Sequence, residues 1–101
     1  MPTMTKQRFE LGMLLATPGA LRMLESHGVT AISLLARHVH GDWGDLCDED
    51  KQANDAALRT GARILSAYHL GDGTKIWIIT DAEIDDEHNR QATTILLPDE
   101  Y

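Results

Sequence analysis

The chain has 101 residues, 43% hydrophobic and 25% charged, with a formal net charge of −7. That length suits one core and is too short for two, and the composition excludes disordered, fibrous and low-complexity classes. One cysteine, Cys47, excludes an intramolecular disulfide, and no apolar run approaches the roughly 18 residues that cross a bilayer.

Residues 1–8 carry Lys6 and Arg8 without the apolar stretch of a signal peptide, and read as a flexible lead-in to a single domain over 9–101. A first strand is expected from Phe9 to Ala16. Thr17-Pro18 then has the form of an N-cap followed by proline in the first helical turn. Leu21 and Leu24 supply an apolar side, and Gly28 stands where a left-handed cap stops a helix. The second helix follows at once. Thr30 caps it, Ile32, Leu35 and Val39 form its stripe, and Gly41 ends it.

Gly41-Asp42-Trp43-Gly44-Asp45 is a turn by composition. Asp48, Glu49 and Asp50 place carboxylates in the first turn of a third helix, where the macrodipole favours them. Ala53, Ala56 and Ala57 give this helix a thin apolar face, and Gly61 closes it. Beyond Gly61 the period changes from 3.6 to 2. Ile64, Ser66 and Tyr68 alternate with Leu65, Ala67 and His69, and Gly71-Asp72-Gly73 turns the chain into Lys75–Thr80. A polar loop over 81–91 leads to a last strand, Ala92–Leu97, which Pro98 terminates. The expected fold is α+β in the order β-α-α-α-β-β-β, with the helices packed on one face of a small antiparallel sheet.

Charge is unevenly placed. Residues 1–41 carry four bases against two acids, a balance of +2, so the remainder carries −9. Most of it lies in two stretches. One contains Asp42, Asp45, Asp48, Glu49, Asp50 and Asp55; the other contains Asp81, Glu83, Asp85, Asp86 and Glu87. Such a surface repels phosphate backbones and attracts bases, so the expected partner is a basic protein, with direct nucleic-acid binding disfavoured. These carboxylates, apart from Asp55, are the candidate partner-binding residues.

Candidate chemistry resides in the histidines. His38 and His40 near Asp42 and Asp45 have the residue types of a metal or acid/base site, but residues two apart on a helix point in different directions. No metal and no cofactor are therefore expected. A catalytic alternative groups His38, His40, Arg63 and His69 for acid/base work and phosphate contact. Trp43 between two glycines, and Trp77 in a strand, read as structural anchors.

The segments Arg37-His38-x-x-Gly41-Asp42-Trp43-Gly44-Asp45-Leu46, Leu65-Ser66-Ala67-Tyr68, Lys75-Ile76-Trp77-Ile78-Ile79-Thr80 and Thr93-Thr94-Ile95-Leu96-Leu97-Pro98-Asp99-Glu100-Tyr101 resemble a family of small bacterial proteins found largely on plasmids and other mobile elements. The resemblance runs from about Phe9 to Tyr101. It implies a genetic setting and brings no catalytic residues with it; the cytoplasmic location is expected instead from the lone Cys47 and the absence of signal-peptide features at the N-terminus. The acidic 81–91 loop departs from the family pattern. Two functions are compatible with these readings. The first is a non-enzymatic interaction module whose acidic surface binds a basic partner, as an anti-restriction or anti-CRISPR factor does. The second is a small RelE- or barnase-like ribonuclease, which the fold order permits and the net acidity opposes.

Overall fold

A computed structural model describes residues 7–101. The elements are β1 (Met13–Ala16), α1 (Pro18–Ser26), α2 (Ala31–Val39), α3 (Asp48–Thr60), β2 (Ile64–His69), β3 (Lys75–Thr80) and β4 (Ala92–Leu96), with a 3-10 turn at Pro98–Glu100. The order is β-α-α-α-β-β-β, an α+β fold. Residues 1–6 of the lead-in lie outside the described residues. Its last residue is tied down, since the Arg8 amide donates to the Val39 carbonyl at 2.9 Å.

The four strands form one sheet in the order β1-β4-β3-β2. β2 pairs with β3 and β3 with β4, both antiparallel. The all-antiparallel expectation needs one correction: β1 runs parallel to β4, Met13 beside Ala92 and Ala16 beside Ile95. The three intervening helices and the β2–β3 hairpin return the chain to β4, and such a long connection permits a parallel pair. β1 is also shorter than the expected Phe9–Ala16. Gly12 has φ 65° and a Cβ on it would lie 2.3 Å from the Arg90 carbonyl, so the chain before it turns off the sheet and delivers Phe9 to the core.

Period-2 alternation places Ile64, Ser66, Tyr68, Ile76, Ile78, Thr80, Thr93 and Ile95 on the face that the helices cover. Tyr68, Ile76, Ile78 and Ile95 pack with Ala20 and Leu24 of α1 and Leu34 of α2. A second cluster joins Phe9, Trp43, Ala57 of α3 and Ile64. The caps form as Thr17 and Thr30 imply: their hydroxyls accept from the amides of Ala20 and Ser33.

The buried helix faces differ from those expected. On α1 the buried pair is Ala20 and Leu24, while Leu21 is exposed. On α2, Ile32 is 77% exposed, and Leu34, His38 and Val39 turn inward. On α3, Ala53 is exposed while Asn54 and Ala57 are buried. In the last two helices a polar residue, His38 or Asn54, occupies the inward face, so a count of apolar spacing rotates the helix away from its true orientation.

Candidate functional site

The histidines of the catalytic alternative are held in different places. His38 is fully buried on α2. Its Nδ1 lies 2.5 Å from Ser66 Oγ and its Nε2 lies 2.8 Å from Thr80 Oγ1. The proton positions follow along the chain of contacts. Thr93 donates its only hydroxyl proton to the Leu11 carbonyl, so it accepts from Thr80; Thr80 then accepts from His38 Nε2–H, and Ser66 donates to the bare Nδ1. Neutral imidazole satisfies every partner. Burial, and secondarily the charge of Arg90, pushes the His38 pKa down to about 3. The ring is also enclosed by aromatics, Phe9 edge-on at 5.1 Å and Trp43 at 6.0 Å.

His40 caps the end of α2 and its Nδ1 contacts the Ala36 carbonyl at 2.7 Å. His69 is exposed near the end of β2, on the face away from the helices, where it meets Asp45 at 2.6 Å. That contact holds the Asp45 carboxyl below its ordinary pKa. Arg63 precedes β2 and donates to the Tyr101 hydroxyl, with its guanidinium over the Tyr101 ring. His38 and His69 thus lie on opposite faces of the sheet, and neither lines the shallow cleft beside Arg63, which Leu46, Asp50, Ala53, Asn54 and Leu65 form. Among the described residues, no group of three His, Cys, Asp or Glu side chains is placed to hold a metal ion.

Trp43 is 4% exposed and its Nε1 donates to Asp55 at 3.0 Å. The residues around it also close the outer edge of β2. Trp43 and Asp45 exchange backbone bonds with Ala67, at 3.1 and 2.7 Å. This close approach requires Gly44, because a Cβ there would lie 2.0 Å from the Ala67 carbonyl. One step along the edge, Asn54 of α3 donates to the Leu65 carbonyl at 2.6 Å and accepts from the Leu65 amide at 3.1 Å. Its carboxamide replaces a neighbouring strand. Trp77 is half-buried on the uncovered face, against Tyr101.

The acidic stretches divide into carboxylates that the fold uses and carboxylates that it leaves in solvent. Asp42 takes two bonds from Arg37 and one from the Gly44 amide, and the first of these contacts lowers its pKa. Asp85 takes the amides of Glu87 and Asn89 and the Asn89 side chain, which shapes the loop and lowers its pKa. Glu83 is half-buried, in contact with His88 at 3.1 Å and Arg90 at 3.7 Å. In contrast, Asp48, Glu49 and Asp50 at the start of α3, and Asp81, Asp86 and Glu87 beyond its end, are exposed. The Glu83 amide bonds to the Gly61 carbonyl at 2.8 Å, so the second set begins where α3 stops. Thirteen helical residues at 1.5 Å each separate the sets by about 20 Å.

Sequence reasoning missed Arg90. It lies within the acidic loop, yet its side chain is buried and donates to the carbonyls of Ala62, Asp81 and Ala57. It anchors the loop to the end of α3, a favourable place for a cation. Its Nε has no hydrogen-bond partner. Beside it, Arg8, Phe9, Glu10, Leu58, Glu83, Glu87 and neighbouring residues line an open cleft of about 530 Å³. No family model, curated protein or solved structure matches this chain. No helix among the described residues is long and apolar enough to cross a membrane.

Proposed function

We propose that the chain is a non-enzymatic interaction module that works in the cytoplasm and binds a basic protein partner through the exposed carboxylates at the two ends of α3. The observation that supports this reading is the division of labour among the charges. Arg37, Arg63 and Arg90 are drawn into internal contacts, whereas Asp48, Glu49, Asp50, Asp81, Asp86 and Glu87 project to solvent. Surplus carboxylates of this kind raise the local concentration of a basic partner and steer its approach. The plasmid-borne proteins that the sequence resembles make a host defence protein a fitting partner. The ribonuclease reading is less well supported. Its central base, His38, is sealed from solvent and shares no site with Arg63 or His69.

The test uses lysine- and arginine-rich peptides as probes, with a lysine-free acidic peptide as control. Binding to the basic probes is expected, falling at least tenfold between about 50 and 300 mM salt as the Debye length shortens from roughly 14 to 6 Å. Asp86→Asn with Glu87→Gln, and separately Glu49→Gln with Asp50→Asn, should each weaken binding severalfold while shifting the melting temperature by no more than a few degrees. Affinity indifferent to salt and to both pairs of substitutions would overturn the proposal. RNA cleavage that disappears in His38→Gln would support the ribonuclease instead.

A further inference from the structure

The two edges of the sheet are treated differently. The β2 edge is closed by Asn54 and by the Trp43–Asp45 segment. Among the described residues the β1 edge is open. Met13 and Thr17 turn their amides inward, to the carbonyls of Gln91 and Ile95, so strand alternation turns the amides and carbonyls of Leu14 and Ala16 outward. Among the described residues these outward groups meet no other strand. Natural edges are blunted with charges, proline or bulges, because an unpaired apolar edge is a template for another strand. Gly12-Met13-Leu14-Leu15-Ala16 has none of these devices. Met13, Leu14 and Leu15 are also 66%, 55% and 45% exposed.

We propose that this edge pairs antiparallel with the β1 strand of a second copy, giving a symmetric dimer with one continuous eight-stranded sheet. The register is centred on Leu15, which faces its own counterpart. Leu14 stands opposite Ala16 of the second copy, and each such pair exchanges both backbone bonds. One segment thereby complements itself, as a two-fold interface requires. Charge placement selects a second copy over the basic partner. Met13–Ala16 carries no carboxylate, and Glu100, beside its end, is already engaged by the Thr17 hydroxyl and the Leu97 amide. The Asp42–Asp55 stretch lies beside β2, at the far edge of the sheet, so pairing through β1 keeps these charges at the two outer ends. The face opposite the helices becomes continuous as well, since Met13 and Leu15 share it with Thr94 and Ile79.

The experiment measures mass against concentration, in reductant because Cys47 is exposed. The mass should rise from 11.2 kDa towards twice that value as concentration reaches about 500 µM, a range suited to a small interface. Over the same range, hydrogen exchange at the Leu14 and Ala16 amides should slow at least tenfold. Leu15→Lys sets two ammonium groups against each other at the axis and should leave a folded monomer. Ala16→Pro removes an outward donor and should do the same. A wild-type chain that stays monomeric throughout overturns the proposal. So does a dimer that survives both substitutions, or one that forms while the Leu14 and Ala16 amides exchange freely.

Discussion

His38 uses both ring nitrogens on hydroxyls, and its proton arrangement has a consequence for stability in acid. Unfolding restores an ordinary pKa near 6.5, whereas the folded group stays neutral down to about pH 3. Between these values the unfolded chain holds one more proton, so stability falls as pH falls, by about 1.4 kcal/mol per unit at most. Denaturant titrations from pH 7 to pH 4.5 should show this slope, in a window above the range where the depressed Asp42 and Asp85 carboxyls titrate. His38→Gln, which keeps a donor and an acceptor, should flatten it; an unchanged slope would assign the acid sensitivity to other groups.

Trp43 offers a second test at the same scale. It fills the junction of Phe9, Ala57 and Ile64, and its indole N–H is paired with Asp55. Trp43→Ala should cost about 3–5 kcal/mol, the usual cost of a large aromatic truncation. A variant with wild-type stability and no partner binding would make Trp43 a recognition residue instead. The glycine-flanked turn around it was legible, because Gly and Asp at such density mark a turn. That Gly44 is pinned against the Ala67 carbonyl was not, since the contact joins residues far apart in sequence.

At the scale of elements, the β2–β3 hairpin was the most legible feature because its information is local: two alternating runs around Gly71-Asp72-Gly73. β2 Ile64–His69 and β3 Lys75–Thr80 agree with it residue by residue. α2 and α3 were legible in their existence and caps but not in their orientation. Asn54 explains the difference for α3, since a carboxamide that replaces a strand is polar, buried and invisible to an apolar count. Asn54→Ala leaves both backbone groups of Leu65 without this partner. It should cost about 2–3 kcal/mol, the cost of leaving a buried donor and acceptor without their hydrogen bonds. Faster hydrogen exchange at the Leu65 amide in Asn54→Ala checks the cause; unchanged exchange would mean that the edge closes without Asn54.

At the scale of the whole molecule, charge acts on stability and on binding in opposite senses. With a net charge of −7, the exposed carboxylates at the ends of α3 repel one another in the free protein. The buried Arg90 contacts are screened much less than these surface charges. Raising salt from about 20 to 200 mM should therefore raise the melting temperature by a few degrees, while weakening binding to basic peptides. A melting temperature that falls with salt would show that the internal ion pairs outweigh the surface repulsion.

The sequence by itself determined the fold class, the order of elements, the helix caps, the hairpin and the asymmetry of charge, because each is set by near neighbours in the chain. The tertiary structure alone decided which carboxylates remain exposed, that β1 runs parallel to β4, and that Arg90 anchors the acidic loop. It also decided that His38 lies sealed beneath the helices. All of these depend on groups brought together across tens of residues, where the cost of burying a polar atom is met by a partner that no local pattern names.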